Sequence, residues 1–178
     1  MKKVIFTILL VTLAAGAAMA QYSQTGSVAI SAIKGESMTV SGAGLTQYTV
    51  TGTSAPSQTL TISSTWNLKP SRASVQICVF MGASGKMVSG TPAQNSGVID
   101  DTMTQTKVGA GSWANIDTGT GCGMTSAATL VNTYTLTSSN RVVTTANTDN
   151  VNIQLTAIPA NLEADTYNGT LTVIGYAQ

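Results

Sequence analysis

The chain contains no histidine among its 178 residues, so the side chain that enzymes use most often as an acid or base near neutral pH is missing. A Ser-His-Asp triad is therefore excluded. Charged residues make up only 8% of the chain and the net charge is +1, which gives no electrostatic basis for binding nucleic acid or anionic lipid. Ser, Thr, Asn, Gln and Gly supply the polarity instead, a composition common on exported β-proteins and fibres.

The N-terminus has the three parts of a bacterial-type secretory signal. Lys2 and Lys3 precede an apolar run over residues 4–13, and an Ala-x-Ala cleavage pattern ends at Ala20. The apolar run is too short to span a bilayer comfortably. We therefore expect residues 1–20 to be removed, residues 21–178 to form a single domain, and the protein to be secreted to the periplasm or the cell surface.

Cysteine is scarce, and its two occurrences, Cys78 and Cys122, fall in the part that is predicted to be exported. Because exported proteins mature under oxidising conditions, we expect these residues to form one disulfide. The alternatives are a reactive thiol or a metal ligand, and neither finds partner residues in this sequence. Two cysteines without histidine cannot complete a zinc site.

Apolar and polar residues alternate with a period of two over most of the chain, which is typical of strands with one buried face. The clearest alternating positions are Leu60, Ile62, Trp66 and Leu68; Val75, Ile77, Val79 and Met81; Leu130, Tyr134 and Leu136; Val151, Ile153 and Leu155; and Leu171 and Val173. Weaker strands are expected at residues 28–30, 37–41 and 48–51. The pattern predicts an all-β fold, an antiparallel immunoglobulin-like sandwich of about seven to nine strands.

The segment over residues 84–123 has little alternation and is rich in Gly, Ser, Thr and Asp. It is predicted to form long loops with one or two short strands, which the disulfide would tie back. Loops of this length in a compact domain are often functional. Within them Trp113 is the candidate aromatic for ligand binding, whereas Trp66 lies on an apolar strand face and is expected in the core.

One motif looks catalytic. Ile116-Asp117-Thr118-Gly119 resembles the active-site turn of aspartic proteases, where two carboxyl groups share a proton. Val173-Ile174-Gly175 resembles the segment that those enzymes place behind the turn. The motif is short, however, and Asn115 stands where a second hydrophobic residue is expected. We therefore predict a plain loop and no enzymatic activity, with an aspartic-protease-like site at Asp117 as the alternative.

Other candidate sites are weaker, and neither a metal nor a cofactor is predicted. Ser84 with Lys86 is a loop pair rather than a Ser-Lys catalytic centre. Asp100 and Asp101, with Asp117 or Asp149, offer carboxylates to calcium, but no EF-hand loop is present. Asn168-Gly169-Thr170 matches a glycosylation sequon, and the interpretation favoured here is an Asn-Gly turn.

Both ends of the predicted mature chain resemble archaic chaperone–usher pilins with spore-coat-U-type domains. Near the N-terminus, Thr25-Gly26-Ser27-Val28-Ala29-Ile30 alternates like the first strand of these subunits. At the C-terminus, Ile158-Pro159-Ala160 and the run from Asp165 to Val173 are similar to the family's Pro-Ala-Gly-Thr-Tyr-x-Asp-Thr-Leu-x-Val ending. The family's early cysteine has no counterpart here. The middle, with Trp66-Asn67-Leu68 and Cys78, is similar to uncharacterised secreted bacterial immunoglobulin-like proteins.

The pilin resemblance implies an incomplete sandwich, whose groove accepts the N-terminal segment of the next subunit by β-strand addition. Residues 21–33 would then be the donor segment, with Val28 and Ile30 on its assembly strand, and Leu171 and Val173 would line the groove. The expected function is a non-catalytic structural or adhesive one, in a surface fibre. The expected partners are copies of the chain or a periplasmic chaperone. The alternative is a stand-alone module that binds glycan or another exported partner through Trp113 and the 84–123 loops.

Overall fold

The computed structural model describes residues 31–81, 85–117, 122–123 and 128–178. Contacts divide the chain into Met1–Lys34 and Gly35–Gln178, and the fold described below belongs to the second unit. Its described residues form strands, one short 3₁₀ helix at Asp101–Met103, and no α-helix. The strands are β1 (Ser37–Ala43), β2 (Ala55–Asn67), β3 (Ser74–Met81), β4 (Lys86–Ser89), β5 (Val98–Asp100), β6 (Thr104–Val108), β7 (Ala114–Asn115), β8 (Thr129–Thr135), β9 (Val142–Leu155), β10 (Tyr167–Asn168) and β11 (Leu171–Ala177).

The strands pair antiparallel in three sheets. A five-stranded sheet has the order β1-β2-β9-β6-β7, a three-stranded sheet the order β11-β3-β8, and a small sheet the order β10-β4-β5. The predicted antiparallel all-β fold is therefore confirmed. The described residues hold eleven strands rather than seven to nine, because several very short strands build the small sheet and the end of the large one.

The five-stranded sheet and the β11-β3-β8 sheet enclose the main hydrophobic core. Ile62 on β2, Ile77 and Val79 on β3 and Val151 on β9 are all fully buried within it. These side chains occupy alternate positions of their strands, as the period-two pattern requires. Trp66 also lies in this core, 5.2 Å from the ring of Tyr134 between centroids, as predicted from its strand face.

The strand order matches that of an immunoglobulin fold in six strands, whereas β8, which follows β6 in the chain, pairs with β3 and has no counterpart in that order. The order β1-β2-β9-β6 corresponds to strands A-B-E-D of such a fold, and β11-β3 corresponds to F-C. In the complete fold a further strand, G, pairs with the free side of F. Among the residues that the structure describes, β11 pairs with β3 alone, so the position of strand G has no occupant there.

Three details of the predicted pattern are corrected by the structure. The described part of the 84–123 segment carries four strands, β4 to β7, and not one or two; short polar strands give almost no alternation signal, so the sequence pattern did not predict them all. Residues 48–51 form no strand, and only an isolated bridge joins Thr51 to Ser54. On β8, a bulge opposite Ile77 and Cys78 reverses the facing of the chain, so Val131 is buried while Leu130 is 40% exposed.

The predicted disulfide joins Cys78 on β3 to Cys122. It lies on the outer face of the β11-β3-β8 sheet, where Phe80, Ala128 and Ile174 pack around it. The backbone N–H of Cys122 donates a hydrogen bond of 2.8 Å to Oε1 of Gln76. The bridge therefore fastens this part of the 84–123 segment to the sheet. Within the described residues, no helix is long and apolar enough to cross a membrane.

Candidate functional site: the cleft between β1 and β11

The two sheets leave a cleft between their edge strands, β1 and β11. In the described part of the chain, β1 pairs only with β2 and β11 only with β3. At the opposite side of the sandwich, the hydroxyls of Thr106 and Thr129 hydrogen-bond to each other at 3.2 Å and bridge the sheets. At the cleft, the described edges of β1 and β11 face each other without backbone pairing between them. Such edges carry N–H and C=O groups that are ready to pair with another strand.

The cleft is narrow at the end of β11 because Gly175 lets the two strands approach closely. A Cβ placed on Gly175 would lie 2.5 Å from the sulfur of Met38 and 2.6 Å from Cγ2 of Val40. Real side chains do not tolerate such distances, so only glycine fits here without movement of β1. Met38 and Val40 are thereby held against the core at this end.

The cleft widens toward the start of β11. Here Leu171 and Val173 are half-buried and pack against the edge of the main core. A cavity of about 220 Å³ lies between them and the residues Gly42, Leu45 and Leu60. A larger cavity of about 940 Å³ also reaches Leu45 and Leu171, and it extends beneath the 158–169 segment. The wide end therefore has room for apolar side chains from outside the described fold.

A charged clamp closes the narrow end. Arg72, in the turn before β3, donates from Nε and Nη2 to the two carboxylate oxygens of Glu36 at 3.2 and 3.1 Å. Its Nη1 also donates to the carbonyl of Ala177, the last residue of β11, at 3.3 Å. Because Glu36 directly precedes β1, this one guanidinium holds the ends of both edge strands. The hydrogen bond from Arg72, and another from the backbone N–H of Lys69, lower the pKa of Glu36 to about 2.

The sequence pattern did not predict the clamp or the role of Gly175. Charged residues separated by a long stretch of chain, as Glu36 and Arg72 are, meet only through the tertiary fold. The one available signal was rarity, since the chain has only 8 basic and 7 acidic residues. In a chain with so few charged residues, each charged side chain is a candidate for a specific ion pair.

The predicted assembly residues fall in two groups. Leu171 and Val173 lie on the inner face of β11 and line the wide end of the cleft. Val28 and Ile30 lie outside the described residues. The similar C-terminal run has a clear structural role, because Asp165 accepts hydrogen bonds from the hydroxyls of Ser89 and Thr91 and from Nδ2 of Asn95. These bonds fix the segment that leads into β11, and the one from Ser89 contributes most to lowering the pKa of Asp165 to about 2.

The catalytic-looking and ligand-binding candidates lie away from the cleft edges. Asp117 is half-buried, and its Oδ1 accepts a 3.3 Å hydrogen bond from the backbone N–H of Met81. Burial raises the pKa of Asp117. Gly175 lies beside Met38 rather than behind Asp117, while Thr118 and Gly119 are outside the described residues. Trp113 is half-buried in the turn before β7.

Asp149 lies apart from the neighbouring Asp100 and Asp101, whose side chains hydrogen-bond to each other. Asp149 is buried between the sheets, where the hydroxyl of Tyr134 and Nδ2 of Asn132 donate to it. Asp100 caps the 3₁₀ helix by accepting from the backbone N–H of Thr102. In residues 31–81, 85–117, 122–123 and 128–178, no group of three or more histidine, cysteine or acidic side chains is arranged to hold a metal ion.

Comparison with known proteins adds no relative. No protein-family model matches the chain, and no curated protein sequence matches it significantly.

Proposed function

We propose that this protein is an exported, non-catalytic structural subunit of a bacterial surface fibre, and that it assembles by β-strand addition at the cleft between β1 and β11. The observation that carries the proposal is the strand order. The described residues supply the counterparts of strands A to F of an immunoglobulin fold and leave the G position beside β11 open. A strand from a second copy would complete the fold there.

The lining of the cleft supports an apolar, extended partner. Leu171 and Val173 face inward from β11, and Leu60 of β2 and Leu45, in the segment that follows β1, lie across the cavity from them. A strand entering here would place alternate side chains into the cavities and its backbone against the edge of β11. Hydrogen bonds along the edge would supply affinity, and the cavities would select the inserted side chains.

The proposed donor is residues 21–33 of the next subunit. This segment contains Val28 and Ile30 at alternate positions, and it directly precedes the Glu36 clamp and β1 in sequence. It would follow the predicted signal peptide, so it would become the N-terminus after export. A periplasmic chaperone that supplies a temporary strand would protect the same cleft before assembly, as the resemblance to archaic chaperone–usher pilins implies.

The test is the size and shape of the exported mature protein. Light scattering and negative-stain microscopy should find filaments or a ladder of heat-labile oligomers. Deletion of residues 21–33 should leave a folded monomer that does not assemble. A monomer that refolds unaided and never assembles would contradict the proposal.

A matched pair of substitutions on β11 sharpens the test. Val173→Asp places a charge in the cleft and should prevent assembly, because burying an unpaired carboxylate is unfavourable. Thr172→Asp adds the same charge to the neighbouring residue, which faces the other side of the sheet, and should assemble normally. Equal effects of the two variants would contradict a role for the cleft.

A further inference from the structure

The outer face of the five-stranded sheet carries an ordered array of neutral hydrogen-bonding groups. On β2, Leu60 and Ile62 point into the core, so Thr59 and Thr61 point outward. They pair in register with Asn152 and Asn150 of β9. Beyond them, Gln154 of β9 pairs with Gln105 of β6. We call these six residues the amide–hydroxyl face.

Hydrogen bonds between side chains hold the face in a fixed arrangement. The Thr59 hydroxyl donates to Oδ1 of Asn152 at 2.8 Å, and the Thr61 hydroxyl donates to Oδ1 of Asn150 at 3.0 Å. Nε2 of Gln154 donates to Oε1 of Gln105 at 3.0 Å. Threonine is also restricted about χ1, so the hydroxyl positions are set by the backbone. A partner that binds here does not have to order these side chains, which lowers the cost of association.

The internal bonds leave further donors and acceptors on these side chains that can bind a partner. After donating its proton, each threonine oxygen still has lone pairs that accept, and each asparagine Nδ2 still has two N–H groups that donate. Residues on one strand that face the same way are about 6.8 Å apart, and neighbouring strands are about 4.8 Å apart. The face therefore presents acceptors along β2 and donors along β9 at a regular spacing.

The charge of the face limits what it can bind. Within the described residues of this face and its immediate surroundings, Lys107 on β6, paired with Asn152, is the one charged side chain, and no carboxylate is present. A polyanion would need a cluster of basic residues, and a cation or basic partner would need carboxylates. A neutral polymer whose hydroxyls both donate and accept matches the lack of charge and the hydrogen-bonding groups of this face.

We infer that the amide–hydroxyl face is a binding surface for a neutral polysaccharide. This site is separate from the β1–β11 cleft, so it does not depend on strand addition, and it would give a fibre subunit its adhesive function. Sugar hydroxyls would accept from Nδ2 of Asn150 and Asn152 and donate to the oxygens of Thr59 and Thr61.

The experiment is co-sedimentation of the mature protein with insoluble cellulose, chitin and starch, in parallel with a sample that contains no polysaccharide. At least one polymer should carry the protein into the pellet, and raising the salt concentration should not reduce binding, because no ion pairs are involved. The double variant Thr59→Val with Thr61→Val keeps the side-chain shape and removes two hydroxyls. It should bind about 25-fold more weakly, at about fivefold per lost hydrogen bond.

Two further variants keep the test decisive. Thr133→Val with Thr135→Val makes the same change on β8 of the other sheet and should bind normally. Thr59→Ser with Thr61→Ser restores the hydroxyls and should recover most of the binding. The inference is overturned if none of the three polymers binds, if the valine pair on β2 binds as tightly as the unmodified protein, or if salt abolishes binding. The unmodified protein could also sediment without polysaccharide. If the double valine variant on β2 then stays in solution, the face instead mediates contacts between copies of the chain.

Discussion

Arg72 and Glu36 form a two-pronged ion pair, with Nε and Nη2 of the guanidinium 3.2 and 3.1 Å from the two carboxylate oxygens. The same guanidinium contacts the carbonyl of Ala177 at the end of β11. A bidentate ion pair of this kind fixes the relative orientation of the two side chains and also stabilises their contact. Arg72 therefore sets the distance between the two edge strands at the narrow end of the cleft.

Arg72→Ala should loosen that end of the cleft. The backbone amides at the start of β1 and the end of β11 should exchange with deuterium faster than in the unmodified protein, while those of β2 and β9 should be unchanged. Lys69→Ala is the control, because the Nζ of Lys69 lies 3.9 Å from the Glu36 carboxylate and does not reach β11. If both variants exchange alike, the clamp does not hold the two strands.

Acid should weaken the fold through Glu36 and Asp165. Hydrogen bonds in the folded state lower the pKa of each carboxyl to about 2, from ordinary values of 4.5 and 3.8. A lowered folded-state pKa means that the stabilisation is present above the ordinary value and is lost as the pH falls toward 2. The melting temperature should therefore fall between pH 4.5 and 2.

Substituting either carboxyl gives the control for this acid effect. Glu36→Gln and Asp165→Asn should each be less stable than the unmodified protein at neutral pH, and each should lose less stability on acidification. Melting curves measured from neutral pH down to about pH 2 provide the comparison. An acid dependence that both variants share with the unmodified protein would contradict these assignments.

The Tyr134–Asp149 pair should make the fold sensitive to alkali. Burial, together with the hydrogen bond to Asp149, raises the pKa of Tyr134 to about 12. Because the folded-state value is raised, the stabilisation is complete below about pH 10 and is lost as the pH rises toward 12. The phenolate absorbance should show tyrosines that ionise at a higher pH than free tyrosine does. Tyr48 should be among them, because burial also raises its pKa to about 12.

Tyr134→Phe tests the same pair directly. The change removes one hydrogen-bond donor from a buried carboxylate, so we expect unfolding to become easier by about 1–3 kcal/mol. Urea denaturation at neutral pH measures this. The late-ionising phenolate signal should also shrink in the variant, and its persistence at full size would contradict the assignment to Tyr134.

Removing the disulfide should destabilise the monomer strongly. Cys78 and Cys122 are separated by 44 positions, and closing a loop of that length is worth about 4 kcal/mol in the chain-entropy model. The double variant Cys78→Ala with Cys122→Ala should unfold at correspondingly lower urea concentration. An unchanged midpoint would mean that the bridge does not constrain the unfolded chain.

Local pattern was sufficient to predict most of the architecture. Alternation placed the inward faces of β2, β3 and β9 correctly, and the two cysteines predicted the disulfide. The bulge on β8 was not predictable. A single extra residue turns the following side chains to the opposite face of the sheet, but it does not change the hydrophobicity of the sequence in a recognisable way. The short strands β4 to β7 were predicted as only one or two strands for a related reason, since they have too few residues to show a period.

The features of the cleft also differ in whether the local sequence pattern could predict them. Alternation predicts a shared strand face for Leu171 and Val173, and the family resemblance implies that they line the groove. The closeness of Gly175 to Met38, and the meeting of Arg72 with Glu36 and Ala177, depend on how the two sheets pack. No local pattern encodes these contacts between distant segments.

Strand addition at β11 is tested most directly by hydrogen exchange on the variant that lacks residues 21–33, with and without a synthetic peptide of that sequence. The peptide should slow exchange along the free edge of β11, and it should have no such effect when the protein also carries Val173→Asp. Thr172→Asp should respond like the unmodified chain. If the peptide leaves the exchange of β11 unchanged in a folded protein, this segment is not the missing strand and the fibre-subunit account is wrong.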